Sequence, residues 1–188
     1  MKVFIAGASG LLGSNCQKHF SEQGWEVVGS YFSYEVPNTV FYNTLDLEHK
    51  DNFDIETYNP DVIVHCGALT HVDYCEANVE ESYQKTVQST INLTSVAEKC
   101  NARFVYISTD YVFDGKEGPY VENQPTNPVS IYGKHKLEAE ELTLKTIPDT
   151  LILRITNVYG NEARGKNFVL WGGGLPFFIN EDFGPPTC

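Results

Sequence analysis

The feature that most constrains this chain stands at its start. An apolar run, Val3-Phe4-Ile5-Ala6, ends in Gly7-Ala8-Ser9-Gly10-Leu11-Leu12-Gly13 and passes at once into a helical pattern from Leu11 to Gln23. Each glycine answers a separate need: Gly7 permits a tight turn, Gly10 lets a diphosphate approach the backbone, and Gly13 lets helix and strand pack closely. The helix start offers unpaired N–H groups and a positive dipole end to an anion. This reading assigns Gly7, Ser9, Gly10, Leu11, Leu12 and Gly13 to the diphosphate of a dinucleotide. The spacing is GxxGxxG rather than GxGxxG, and a tight strand-to-helix turn without a ligand would use glycine in the same way.

The rest of the chain continues the rhythm. Lys2 to Ala6, Glu26 to Tyr31, Val40 to Tyr42, Asp61 to Cys66, Arg103 to Ser108 and Leu151 to Ile155 read as strands, and Leu11 to Gln23, Val79 to Lys99 and Ile131 to Lys145 as helices. Strands that are apolar on both sides, alternating with helices, imply a doubly wound α/β fold with a parallel sheet covered on both faces, the Rossmann arrangement. Residues 1–160 are expected to form this nucleotide-binding domain. Residues 161–188 change character: Trp171-Gly172-Gly173-Gly174-Leu175-Pro176 and Gly184-Pro185-Pro186 break regular elements, so they read as the start of a truncated or incomplete substrate-binding segment.

Charge and cysteine usage narrow the partners. With 25 acidic against 13 basic residues the net charge is −12, which disfavours nucleic acid and anionic membranes. The apolar start is too short for a signal-peptide core or a membrane span, so a soluble, cytoplasmic protein is expected. The five cysteines form no CxxC pair and their odd number leaves one unpaired in any scheme, which points to free thiols. His71, Asp73 and Cys75 alternate as metal ligands on a strand would, but they lead into a helix and lack a fourth ligand. No metal is expected.

The second strand ends in Gly29-Ser30-Tyr31-Phe32-Ser33 without the carboxylate that usually holds the ribose of NAD. Ser30 is the candidate contact there; the missing acid favours the 2′-phosphate of NADP(H) without excluding NAD(H). Asp46 and Leu47 follow the next strand and are candidates for the adenine, although a solvated loop is an equal account of Asp46. Tyr132 and Lys136 stand four residues apart, on one helix face. An ammonium beside a phenol, whose ordinary pKa is about 10, would lower it and make Tyr132 a general acid or base. Upstream, the run Ser108-Thr109-Asp110-Tyr111-Val112-Phe113-Asp114-Gly115 puts hydroxyls at the carboxyl end of a central strand, where open α/β sheets bind ligands. Thr109 or Ser108 can hold a substrate carbonyl, or simply cap the turn. His135 is placed on the solvent side of the same helix.

These pieces, with His65-Cys66-Gly67-Ala68-Leu69-Thr70-His71-Val72-Asp73 and Arg154-Ile155-Thr156-Asn157-Val158-Tyr159-Gly160, resemble the extended short-chain dehydrogenase/reductases, and within them the dTDP-4-dehydrorhamnose reductase group. The resemblance implies NAD(P)-dependent reduction of a 4-keto sugar nucleotide in deoxysugar or surface-polysaccharide synthesis, with Thr109, Tyr132 and Lys136 as the catalytic set. It places Cys66, Gly67 and Ala68 along the cofactor, with Tyr132 and Lys136 also touching it, and Val72, Asp110, Tyr111 and Asn157 near the sugar. Asn157 departs from the tryptophan often found before Val-Tyr-Gly in that group, which leaves the sugar open. A sugar-nucleotide epimerase or dehydratase would share the site. The regulatory β subunit of methionine adenosyltransferase is a second, non-enzymatic relative that binds NADP. A homodimer fits this reading. Glu181-Asp182-Phe183-Gly184-Pro185-Pro186-Thr187 looks like a turn of the family's substrate segment.

Overall fold

Val3, Phe4 and Ile5 are fully out of solvent because their strand, β1 (Lys2–Ala6), has a parallel neighbour on each side. A computed structural model describes residues 1–160. The expected tail motifs at Trp171–Pro176 and Glu181–Thr187, together with Cys188, lie outside the described residues. β2 (Glu26–Tyr31), β3 (Thr39–Phe41), β4 (Val62–His65), β5 (Arg103–Thr109) and β6 (Leu151–Ile155) complete one sheet in the order β3-β2-β1-β4-β5-β6. All five pairings are parallel, with Val3 opposite both Val27 and Val62. This is the doubly wound arrangement expected from the sequence, and its strand order reverses between β1 and β4.

Side chains alternate across the sheet and build a core on each face. Phe4, Ile63, Phe104 and Tyr106 point to one side and pack with Leu93, Val96, Ala97 and Ala139 from α5 (Ser89–Lys99) and α6 (Ile131–Thr146). Val3, Ile5 and Val64 point to the other side, where Cys16 and Phe20 of α1 (Leu11–Glu22) cover them. Three short helices fill the connections: α2 (Ile55–Tyr58), α3 (Val72–Ala77) and α4 (Val79–Tyr83).

The helix expected over Val79–Lys99 is not a single α-helix. Between α4 and α5 lies a π-helical turn, Gln84–Gln88. Periodicity could not show it, because Thr86 and Val87 within the turn are buried as they would be in an uninterrupted helix.

Two glycines fix how α1 meets the sheet. Gly7 has φ +85°, and a Cβ there would stand 2.8 Å from the Gly67 nitrogen. A Cβ on Gly13 would press into the Gly7 carbonyl oxygen and lie 2.8 Å from Ala8 Cα. Gly13→Ala is therefore expected to lower stability by about 2 kcal/mol, overpacking outweighing alanine's helix-propensity gain of about 1 kcal/mol. Urea unfolding checks this; an unchanged midpoint would show that α1 can withdraw from β1 without cost.

Candidate active and cofactor-binding site

The carboxyl ends of β1, β2 and β4 meet at the glycine turn. The Ala8 amide donates to the Ser30 carbonyl at 2.7 Å, and the Cys66 amide donates to the Ala6 carbonyl at 2.9 Å. Gly10 caps α1 without a side-chain hydrogen bond, and the first turn carries no acidic residue, so its leading N–H groups face no competing side-chain carboxylate there. A dinucleotide diphosphate fits this cradle, whose floor would be filled by a Cβ at Gly7 or Gly13. Gly7, Ser9, Gly10, Leu11, Leu12, Cys66, Gly67 and Ala68 line the edge and are half-buried; Gly13 is buried beneath them.

Near the end of β2, Ser30 is buried and its carbonyl accepts from the Ala8 amide. A carboxylate that the sequence reading passed over stands close by. Burial raises the Tyr31 phenol, and Glu35, beyond the strand end, raises it further by its charge and by a hydrogen bond. Leu47 packs partly into the core. Asp46 is exposed in a loop pinned by Asn52, whose amide donates to the Asp46 carbonyl at 2.9 Å.

Thr109 ends β5 and Tyr132 stands in the first turn of α6. Their approach depends on Gly133, where a Cβ would run into the Tyr111 carbonyl oxygen and lie 3.2 Å from Pro128 Cβ. Ser130 caps the helix by accepting from the Gly133 amide at 3.0 Å, and Glu76 accepts from the Ile131 amide at 2.6 Å. Burial pushes the Tyr132 phenol up to about 12; a hydrogen bond with Thr109 opposes the shift, while Cys75, Asp110 and Tyr111 add to it.

Lys136 is buried, as its place beside Tyr132 on one helix face suggests. Its ammonium is directed at β5, donating to the Ile107 carbonyl at 2.6 Å and lying 4.0 Å from the Tyr106 ring centre. Burial pushes it down to about 7, with Glu140 and then Cys66 holding it up. Tyr132 is thus governed by burial and Thr109, rather than by the lowering from Lys136 expected from spacing. Beside Lys136, His65 is pushed down to about 3 by burial and then by the lysine's charge, and neither ring nitrogen has a hydrogen-bond partner among the described residues.

A buried carboxylate on α6 was missed. Glu140, 1% exposed and one turn beyond Lys136, accepts from Ser108 Oγ and from Arg154 of β6, whose Nη2 lies 2.6 Å from Oε2 and Nε 3.1 Å from Oε1. Arg154 also donates to the Glu122 carbonyl at 3.2 Å and lies 5.2 Å from the Phe113 ring centre. The loop it holds is tied internally by Asp114, which accepts from Tyr120 at 2.7 Å and from Asn127 at 3.0 Å and is lowered to about 2 by the Tyr120 hydrogen bond foremost. The signal in sequence was an acid at i+4 from Lys136, indistinguishable there from an exposed helix pair.

Of the substrate candidates, Tyr111 alone has a ring contact with Tyr132 among the described residues. Tyr111 packs edge-on against Tyr132 at 5.7 Å between ring centres, and Asp110 beside it is exposed. Val72 opens α3, and Asn157 is exposed just beyond β6. His135 is a correction: it is buried, not on the solvent side, with Nδ1 2.8 Å from Ser82 Oγ and its ring edge-on to Tyr83. The packing of α4 against α6 encloses it. His71 caps α3 by accepting from the Tyr74 amide at 3.1 Å, and Cys75 is buried facing the Leu69 carbonyl. Among the described residues no three His, Cys, Asp or Glu side chains gather as around a metal ion, and no helix is long and apolar enough to cross a membrane.

Removing one partner of the Glu140–Arg154 pair strands the other, so Glu140→Ala is expected to cost about 3–5 kcal/mol in chemical unfolding. A loss under about 1 kcal/mol would mean that water replaces the carboxylate easily. Lys136 gives a pH signature. The unfolded lysine titrates near 10.5 and the folded one near 7. Between those values the unfolded chain holds the extra proton, so this group makes stability rise with pH through the window. Comparing wild type with Lys136→Met by unfolding at pH 7 to 10 should show that rise only in wild type; parallel curves would contradict it.

Residues 1–171 match the family model of the RmlD substrate binding domain. The methionine adenosyltransferase 2 subunit beta of Bos taurus is 38% identical over 163 residues, covering 87% of this chain and 48% of that protein. A hypothetical dTDP-4-dehydrorhamnose reductase from Sulfolobus tokodaii superposes with TM-score 0.78 at 34% identity, covering 86% of this chain and 58% of that one. The dTDP-4-dehydrorhamnose reductase of Bacillus anthracis, solved in complex with NADP, gives TM-score 0.71 at 27% identity, with 86% and 56% covered. The chain spans about half the length of the curated relatives it matches.

Proposed function

We propose a function from one premise: this chain belongs to the RmlD substrate binding domain family. It is the nucleotide-binding part of an NAD(P)-dependent oxidoreductase of the short-chain dehydrogenase/reductase type that reduces a 4-keto sugar nucleotide in the cytoplasm. The observation that carries this reading is the meeting of Thr109 and Tyr132 at the carboxyl end of β5, on the same sheet edge as the Gly7–Gly13 cradle. The solved relative with bound NADP supports the cofactor class.

A bound nicotinamide dinucleotide supplies the hydride. Thr109 donates a hydrogen bond to the sugar carbonyl and orients it, and Tyr132 gives its phenolic proton to the oxygen as charge develops there. A phenol raised to about 12 holds its proton at neutral pH, which suits donation. Lys136, whose ammonium is held between the Ile107 carbonyl and the Tyr106 ring, is assigned to the nicotinamide ribose and to passing a proton back to the phenolate once Tyr132 has given its own. Ser30, Asp46 and Leu47 are assigned to the adenosine end, and Val72, Asp110, Tyr111 and Asn157 to the sugar side.

The 38% identity to a methionine adenosyltransferase β subunit favours a second reading, a dinucleotide-binding regulatory subunit. One experiment separates them: NADPH oxidation by the full-length protein with dTDP-4-dehydrorhamnose, for wild type and Tyr132→Phe. The enzyme reading expects wild-type turnover, a loss of about a hundredfold or more in the variant, and unchanged NADPH binding. Retained turnover in the variant removes Tyr132 from the chemistry. NADPH binding with no turnover, together with a stable complex with a methionine adenosyltransferase catalytic subunit, favours the regulatory reading.

A further inference from the structure

Two thiols meet under the dinucleotide cradle. Cys16 lies on α1, one turn beyond Gly13, and Cys66 follows β4, its amide fixed to the Ala6 carbonyl at 2.9 Å. Both side chains pack against one small cluster, Val3, Ile5, Ala8 and Val64, in the layer between α1 and the sheet. Both are free and half-buried. Cys100, by contrast, packs on the opposite face of the sheet.

We propose that Cys16 and Cys66 are a paired modification site, joined into a reversible intramolecular disulfide by hydrogen peroxide, and that this bond weakens dinucleotide binding. The Cys16 thiolate attacks one peroxide oxygen, the O–O bond breaks, and the departing hydroxide takes a proton to leave as water. Cys66, as thiolate, then attacks the resulting sulfenic sulfur; the S–O bond breaks and the second hydroxide leaves as water with the Cys66 proton. Two thiols lose two electrons, and one peroxide gives two waters. The hydrogen bond from Cys66 lowers Cys16 to about 7 against the opposing effect of burial, so a substantial fraction of Cys16 is nucleophile at neutral pH. Cys66, raised by the same hydrogen bond and by burial, keeps its proton until the second step.

The consequence for binding comes from how little slack the cradle has. The Cys66 carbonyl carbon lies 3.2 Å from where a Cβ on Gly7 would stand, and the Gly67 nitrogen 2.8 Å. Closing the two thiols of this layer to a bond of about 2.05 Å must move either the Cys66-Gly67 backbone or α1. Both line the place for the diphosphate. This coupling rests on the dinucleotide reading given above; the bond itself does not.

The test treats the full-length protein with a slight excess of hydrogen peroxide, blocks remaining thiols, and maps non-reduced peptides by mass spectrometry, with NADPH titration in parallel. A Cys16–Cys66 linked peptide is expected, reversed by dithiothreitol, with NADPH affinity falling about tenfold on oxidation and recovering on reduction. Cys16→Ser and Cys16→Val should lose both effects, while Cys100→Ser keeps them. Over-oxidised Cys16 without a linked peptide, or a disulfide through Cys100 or a second molecule, overturns the pairing. A linked peptide with unchanged NADPH affinity overturns the coupling. A linked peptide in a protein that binds no NADPH even when reduced would instead count against the dinucleotide reading.

Discussion

The Glu140 carboxylate sits almost entirely out of water, and its charge is met by Arg154 on one side and by the Ser108 hydroxyl on the other. A buried ion pair of this kind adds little net stability over an apolar substitute, because desolvation consumes most of the attraction. What it gives is geometry. Ser108 immediately precedes Thr109, Lys136 stands one turn before Glu140 on the same helix, and Arg154 reaches on to the backbone of the loop at Glu122. One charge therefore sets the relative positions of β5, α6, β6 and the loop that follows the short 3-10 turn Asp110–Val112, and the candidate catalytic groups project from β5 and α6.

The two ends of the site are built by different means. At the glycine turn the backbone does the shaping, and side chains are excluded by contact. Around Tyr132 the side chains do it, and burial is the common influence on three titratable groups. Burial holds Tyr132 protonated, keeps His65 neutral and draws Lys136 toward neutrality. A proton is thereby stored on the phenol next to the Thr109 hydroxyl, which is the charge state required by a group that gives a proton to an oxygen rather than taking one.

The architecture was largely legible because parallel strands buried on both faces carry dense apolar runs. Lys2–Ala6, Glu26–Tyr31 and Leu151–Ile155 have the bounds expected from composition and flanking turns. The glycine turn was legible as a tight strand-to-helix passage: Gly7 and Gly13 stand where a Cβ would press on neighbouring backbone. Contacts between residues far apart in sequence were not. His135 read as a solvent-side residue until the packing of α4 on α6 enclosed it, and Gly133 and Glu140 drew no reading of their own, because their reasons are the Tyr111 backbone and the Ser108 and Arg154 side chains. Glu35 went unnoticed because it lies past the strand end, in a loop with no periodicity to mark it.

The π-helical turn at Gln84–Gln88 lets the chain carry one residue more than a continuous helix would hold over the same stretch, without turning α4 away from its partner. A turn closed by i→i+5 bonds takes up the extra residue, so Ser82 still meets His135 and Tyr83 still lies edge-on to the imidazole on one side of it, while Leu93, Val96 and Ala97 keep their place in the core on the other. A second inserted residue has no such outlet: at about 100° per residue of α-helix it would carry Ser82 and Tyr83 round and away from the imidazole.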